Sequence, residues 1–439
     1  MNSPLLPPGP KRRFPGAILF QLRRGPIEFM TRVAREYGDI AYYRVGPHRV
    51  YLLSHPDHVK DVLVTNEACF VKGRGFERAK RLFGEGLLTS EGDFHLRQRR
   101  LAQPAFHRSR VVSYGDVMSD YADRVAATWV DGKAMDIHDA MRRVTMLIAG
   151  KTLFDADLDS EADGLKPALT DAFRLFETVT TPLSALFEKL PFGAVRRSDA
   201  AQARLDSTIF RIIRDRRADQ RDRGDLLSIL LQAEMTDQQL RDECMTIFLA
   251  GHETSANALA WTWYLLSQHP EVQTRARLEV DTVVGARAPT GSDYPNLVYL
   301  ERVLAESLRL FPPAWMIDRR VVGSYEIGGF NLPLDSIVVV SPYVLHHDAR
   351  FFPDPMRFDP DRWAGDGQIG RPRYAYFPFG AGSRHCIGEA FAKMSAVLVM
   401  ASVLRRWTLA PAPDQRADMW PMVTLRPRHG IRVIPTARA

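Results

Sequence analysis

One stretch restricts the fold of this chain more than any other. From Thr236 to Gln268 the sequence is apolar and helix-forming, with a side chain suited to an N-cap at Thr236 and a stop at His269-Pro270. As a single helix it would be about 50 Å long, which predicts that it crosses the molecule and is wrapped by other helices. Charged and polar residues interrupt it, and nowhere does the chain offer about 18 uninterrupted apolar residues, so no membrane span is expected.

The remaining pattern fits a body of that kind. Ile27 to Tyr37 reads as an amphipathic helix, and Ile40 to Val45 and Val50 to Leu53 alternate as a small hairpin around Gly46-Pro47. Helical periodicity dominates from Pro56 onward. It is interrupted by a glycine-bearing stretch from Lys72 to Glu91 and a proline-marked one from Thr181 to Val195, both expected to act as mobile covers. A helix over Leu297 to Leu310 stops at Phe311-Pro312-Pro313, and Tyr325 to Val340 reads as short strands and turns. Arg350 to Arg384 is a long irregular tract, which predicts a function for it, and a last helix begins just after Cys386. No flexible linker separates these parts, so residues 1–439 read as one mainly α domain with a minor β component.

Three cysteines, Cys69, Cys244 and Cys386, lie far apart with no CxxC pair, which excludes a disulfide framework or a zinc ribbon and fits a reducing cytoplasm. Lys plus Arg at 59 against Asp plus Glu at 52 gives +7, too modest an excess to demand nucleic acid. The proline-rich start is followed by an apolar run of only Ala17 to Phe20, too short for a signal core. The protein is expected to be soluble.

The strongest chemical signal is Phe379-Gly380-Ala381-Gly382-Ser383-Arg384-His385-Cys386-Ile387-Gly388. It resembles, at every fixed position, the Phe-x-x-Gly-x-Arg-x-Cys-x-Gly signature of the cytochrome P-450 superfamily, whose cysteine binds haem iron. The spacing makes physical sense. Gly380 and Gly382 let the backbone turn tightly and aim amide hydrogens at a sulfur, and the following helix points its positive end at the same atom. Gly388 has no side chain to block a flat macrocycle, Phe379 would shield the sulfur, and Arg384 is placed to meet a haem propionate. An isolated cysteine is usually an inert buried residue; ten ordered positions argue otherwise.

Further segments follow in the family's order. Ala250-Gly251-His252-Glu253-Thr254-Ser255 resembles its oxygen-activation motif: a mid-helix glycine costs about 1 kcal/mol relative to Ala and leaves room for dioxygen, Thr254 can bond back to the Ala250 carbonyl and distort the helix into a small groove, and Glu253 would relay protons. Glu306-Ser307-Leu308-Arg309 resembles the Glu-x-x-Arg pair, and Phe358-Asp359-Pro360-Asp361-Arg362-Trp363 the segment whose arginine joins it to lock the cysteine loop. Glu91 to Arg100 resembles the helix that supplies propionate ligands; His95 stands where many relatives carry Trp, and His95 with Arg99 puts two donors on one face. Arg319 is a third propionate candidate, with Arg320 adjacent.

The resemblance implies a fold rich in helices with small sheets, and a monooxygenase that holds haem b on Cys386. It would insert one atom of O2 into an apolar substrate by hydroxylation or epoxidation. The chain resembles members without an anchor or fused flavin domain, so electrons are expected from NAD(P)H through a separate ferredoxin or flavodoxin. Arg97, Arg100, Lys393, Arg405 and Arg406 are candidates for its docking face. Apolar residues including Phe76, Phe83, Phe173, Phe176, Phe248 and Trp315 would line the substrate site. A terpenoid is favoured; Arg74 and Arg78 keep a fatty acid in view. A peroxide-driven or rearranging enzyme would not need Glu253 and Thr254, and a gas sensor would usually carry an output module.

Overall fold

The computed structural model describes residues 6–438 except 12–13, 15, 181–192, 220, 234, 366–368 and 414, with backbone alone over 175–180 and 193–198. Its axis is the helix Asp237–Gln268, entered through a capping box: Gln239 N–H donates to Thr236 Oγ1 at 3.2 Å while Thr236 N–H donates back to Gln239 Oε1 at 3.0 Å. His269 closes it and Pro270 opens the next helix, Pro270–Val283. The helices Ile137–Phe154, Val298–Leu310 and Glu389–Arg406 pack around it. Trp261 and Trp263 are both fully buried. Trp261 stacks on Phe311 with ring centroids 4.3 Å apart and donates from Nε1 to Leu425 O at 3.0 Å, tying the axis to the C-terminal hairpin.

A five-stranded sheet flanks this helical body, its strands in the order Ile40–Val45, His48–Leu53, Ile337–Val340, Ile317–Val321, Phe70–Lys72. The first two strands form the expected hairpin, with Ile40 opposite Leu53 and Val45 opposite His48. At the other edge Lys72 pairs with Arg319. Alternation along Ile317–Val321 sends Arg319 inward and turns Arg320 towards Glu77 and Asp335 on the surface. The proline-rich leader runs along the opposite edge, where Tyr42 N–H donates to Pro8 O at 2.9 Å.

The stretch Lys72 to Glu91 is not an open cover. It forms the helix Arg74–Phe83 and then a loop pinned from both sides. Glu85 N–H donates to Asp242 Oδ2 at 2.9 Å and Leu87 N–H to Glu243 Oε2 at 3.1 Å, both acceptors on the axial helix. Lys72 Nζ reaches Leu87 O at 3.1 Å and Ser90 O at 2.7 Å. The other expected cover, Thr181 to Val195, lies outside the described residues except where the helix Gly193–Asp219 begins. Among the described residues no helix is long and apolar enough to cross a membrane.

The irregular tract from Arg350 to Arg384 is held by one buried carboxylate. Glu306 and Arg309 are wholly buried and paired bidentately, at 2.8 Å from Arg309 Nε to Oε2 and 2.8 Å from Nη2 to Oε1. Arg362 Nε, Trp363 Nε1 and Asp359 N–H add bonds to the same carboxylate at 3.3, 2.9 and 3.1 Å. Arg309 spends its remaining donors on the carbonyls of His346, Pro355 and Arg357. Glu306→Ala leaves a buried guanidinium without its counter-charge, a loss of about 3–5 kcal/mol; a fall of that size in denaturant-unfolding stability is expected, with haem lost from whatever fraction still folds.

Candidate active site

The loop that ends this tract presents Cys386. Its turns run through Gly380 and Gly382, both at φ +73°, where a side chain would be strained. At Gly382 a Cβ would also lie 1.8 Å from Leu63 O. Cys386 N–H donates to Phe379 O at 2.9 Å, His385 N–H to Gly382 O at 3.1 Å, and Ser383 N–H to Glu67 Oε2 at 2.8 Å. The amide of Gly380 is used on Phe377 O, so it does not serve the sulfur. The amide bonded to Cys386 is that of Gly388, just ahead of the helix Glu389–Arg406.

Cys386 has solvent-accessible surface, yet the chain around its sulfur is dense enough that burial raises its pKa; the Gly388 N–H and the Arg99 charge pull it back and Glu389 adds to the rise. The peptide frame therefore moderates the rise without making a thiolate by itself, and a bound metal ion is what would keep the sulfur deprotonated.

The axial helix opens at one place only within its apolar middle. Residues 240–249 and 256–263 are buried without exception, whereas Ala250, Gly251, Thr254 and Ser255 form an accessible strip. A Cβ on Gly251 would meet nothing within 4 Å. Thr254 Oγ1 donates to Ala250 O at 2.6 Å, as its spacing predicts, while the helix continues unbroken through this turn. Glu253 points away from the strip, into a buried seam. There Asn257 Nδ2 donates to its Oε1 at 3.3 Å and Arg426 Nη1 stands 4.0 Å off, while Asn257 also bonds His138 Nε2 at 2.8 Å and Thr424 Oγ1 at 3.1 Å.

Beside the cysteine loop the chain gathers buried positive charge. Lys72 and Arg319, cross-strand partners, are both buried, and Arg384 interacts with both. Like charges facing each other across a sheet repel, and Lys72 is accordingly pushed down to about 7, with burial the leading cause. Glu91 offsets part of the excess, accepting Arg384 Nη2 at 2.7 Å and Lys72 N–H at 2.5 Å. His95 shares this neighbourhood: its Nδ1 lies 3.1 Å from Leu87 O and its buried Nε2 has no partner. Arg384 Nε is likewise buried and unpartnered. Arg99 also reaches the cysteine loop, with Nη1 donating to His385 O at 2.7 Å.

An unpartnered buried donor on Arg384, an unpartnered imidazole nitrogen on His95 and a positive cluster only partly offset by Glu91 fit the propionates of a haem, Cys386 fits its iron, and the open strip fits a small ligand on the metal. Lys72 escapes sequence reasoning because a single Lys carries no motif, and Glu91, though it opens the segment resembling the propionate helix, gives no sign there of its bonds to Arg384 and Lys72.

Other expected residues fall apart. Arg405 and Arg406 both lean on Asp123, at 2.6 and 3.4 Å, and lie three turns beyond Lys393 along their helix, so they do not extend the basic face. Phe83, Phe173, Phe248 and Trp315 are buried in the packed cores, Trp315 in a separate cluster with the N-terminal helices. The side chain of Phe176 lies outside the described residues.

A cysteine on this loop, an opened axial helix and a buried cationic frame are the parts of a haem-thiolate enzyme. Residues 7–433 match the family model described as Cytochrome P450. Among similar proteins, cyclooctatin synthase of Streptomyces melanosporofaciens is 39% identical over 95% of this chain and 92% of its own length. Cyclooctat-9-en-7-ol 5-monooxygenase of the same organism is 39% identical over 89% and 87%, and pentalenene oxygenase of Streptomyces avermitilis is 33% identical over 95% of each. The crystal structure of the cytochrome P450DA haem domain superposes with a TM-score of 0.89 at 26% identity, covering 99% of this chain and 98% of that one. The chain belongs to the cytochrome P450 family and is a haem-dependent monooxygenase.

Two glycines of the site make opposite predictions. Gly382→Ala places a Cβ in a left-handed turn and against Leu63 O, and is expected to cost at least about 1–3 kcal/mol and to reduce haem content in parallel, read by thermal unfolding and by the haem-to-protein absorbance ratio. Gly251→Ala is expected to leave stability unchanged or raise it by up to about 1 kcal/mol, while weakening carbon monoxide binding to the reduced protein.

Proposed function

We propose that this enzyme hydroxylates or epoxidises a polycyclic terpenoid, with Cys386 as iron ligand, His95, Arg99, Arg319 and Arg384 holding the propionates, and Glu253 and Thr254 relaying protons. Haem, when bound, supplies the activation of dioxygen. The observation that carries the reading is the pairing of an accessible Thr254 with a buried Glu253 on the next residue. Thr254 keeps its hydroxyl on Ala250 O at rest and presents the oxygen to the strip, where it can bond a ligand there. Asn257 and Arg426 hold Glu253 on the far side. Swinging that carboxyl from Asn257 towards Thr254 would pass to the hydroxyl a proton taken up from solvent beside the partly accessible Arg426, and return of the side chain would let solvent reprotonate it there.

Substrate class is supported by the three relatives, named for cyclooctatin, cyclooctat-9-en-7-ol and pentalenene. A fatty acid is less well served. Arg74 already faces Asp335 at 3.2 Å, and Arg78 is engaged as well, so neither is a ready anchor for a carboxylate.

Electrons come from a separate ferredoxin or flavodoxin reduced by NAD(P)H. Arg97 and Arg100, exposed on the helix Gly92–Ala102 that also carries Arg99 to the cysteine loop, form the docking face, with Lys393, paired to Glu389 at 2.7 Å, at its edge. The reducing cytoplasm suits three unpaired cysteines.

The first test is the reduced carbon monoxide spectrum of the wild type and of Cys386→His. A strongly red-shifted Soret band, lost on substitution with haem retained, is expected; its absence from the haem-loaded wild type would remove the thiolate. Thr254→Ala is expected to lower product formed per electron pair by about 100-fold, the low end of a general-acid contribution, with peroxide released instead; unchanged coupling would remove Thr254 from the relay. Charge reversal of Arg97 and Arg100 together should slow reduction by an acidic ferredoxin at low ionic strength, the difference closing as salt shortens the screening length towards about 3 Å at 1 M.

A further inference from the structure

The axial helix carries a second glutamate that the proton relay does not use. Glu243, Ala250 and Thr254 are seven and eleven residues apart and fall within about 40° of one another around the axis. Glu243 therefore shares the face of the accessible strip, about 10 Å towards the N-terminus from Ala250. It is wholly buried. Oε2 takes the Leu87 N–H at 3.1 Å, but Oε1 has no partner. One turn on, Thr246 Oγ1 is also buried and without a partner. Gly86 is what brings the pinned loop this close, since a Cβ there would stand 2.2 Å from Thr246 Oγ1. The neighbouring Asp242, by contrast, is fully used, accepting from Glu85 N–H, Gln238 and Arg241.

We propose that Glu243 Oε1 and Thr246 Oγ1 form a polar subsite for a hydroxyl already present on the substrate, so that the enzyme oxidises a polycyclic alcohol at a carbon remote from that hydroxyl. The inference rests on the terpenoid reading and narrows it. One hydroxyl satisfies both orphans, donating to the carboxyl and accepting from the threonine. A hydrocarbon leaves both unpaired, a discrimination that buried polar groups impose strongly. A substrate carboxylate would meet Glu243 and Asp242, and an amine would meet the positive charge of Lys72. Burial pushes the Glu243 carboxyl up to about 7, so near neutral pH it offers both a donor and an acceptor form. An anchor about 10 Å along the helix from the strip keeps the oxidised carbon remote from the anchored hydroxyl.

The test is a spin-state titration of the haem-loaded enzyme with the tricyclic alcohols cedrol and patchoulol and their parent hydrocarbons cedrane and patchoulane. At least one alcohol is expected to bind ten-fold or more tightly than its parent. Thr246→Val, nearly constant in volume, and Glu243→Gln, which keeps an acceptor for Leu87 N–H, should each cut that ratio at least threefold while leaving the hydrocarbon Kd unchanged. Equal binding of alcohols and hydrocarbons, or a ratio that survives both substitutions, would overturn the subsite and leave the terpenoid reading standing. No spectral shift with either class, in protein with an intact thiolate band, would overturn the terpenoid reading and the subsite with it.

Discussion

Everything at this site depends on one buried carboxylate, that of Glu306. The tract from Arg350 to Arg384 has almost no regular hydrogen-bond ladder of its own, yet it must deliver Cys386 in a fixed place. Glu306 accepts from Arg309, Arg362, Trp363 and the Asp359 amide, and Arg309 in turn donates to three tract carbonyls. Two charges taken out of water on a helix interior would be a poor source of stability by themselves. Here they replace the secondary structure that the tract lacks. The polar groups that a buried irregular segment would leave unpaired are satisfied by two side chains projecting from a regular helix, and the tract inherits that helix's rigidity.

Charge sets the second constraint. The cysteine loop is bounded by Lys72, Arg319, Arg384 and Arg99, with Glu91 as the nearest offset, and burial first, then the neighbouring Arg384 charge, lowers the pKa values of Lys72 and Arg319. A protein does not bury facing cations to stabilise its fold; it does so where an anion completes the arrangement. On the proposed reading the cofactor's propionates would complete the arrangement, and folding and cofactor retention would then be coupled through electrostatics as well as through Cys386.

Much of this was legible in the sequence because its devices are local. The axial helix is declared by its cap, its length and its proline stop, and the cysteine loop by glycines whose positive φ no other residue adopts cheaply. The Thr254 bond to Ala250 follows from four-residue spacing alone. What was not legible is what depends on side-chain direction across separate segments. Lys72 joins the site only because strand pairing sets it opposite Arg319. The Lys72 to Glu91 stretch looks like a free cover because its anchors, Asp242 and Glu243, lie about 150 residues away on another element. Arg405 and Arg406 give no sign in the sequence of their pairing with Asp123, which is remote along the chain. Aromatic residues expected to line the substrate site are mostly core, since apolar composition does not distinguish a cavity wall from packing.

His95 shows how a single departure from a family pattern changes the physics at a shared position. An indole N–H is a donor at every pH. The imidazole here has committed its Nδ1 proton to Leu87 O, which leaves a lone pair, not a proton, at the buried Nε2. Burial, Lys72 and Arg384 lower its pKa to about 4 in the protein frame alone, so the ring is neutral near pH 7 and would face a carboxylate lone pair to lone pair. The contact becomes favourable only if a proton is taken up when the carboxylate arrives, whose negative charge raises the imidazole pKa and turns Nε2 into a charge-assisted donor. The same two cations that attract a propionate therefore also oppose the protonation that His95 needs, and the carboxylate must outweigh both for the contact to form.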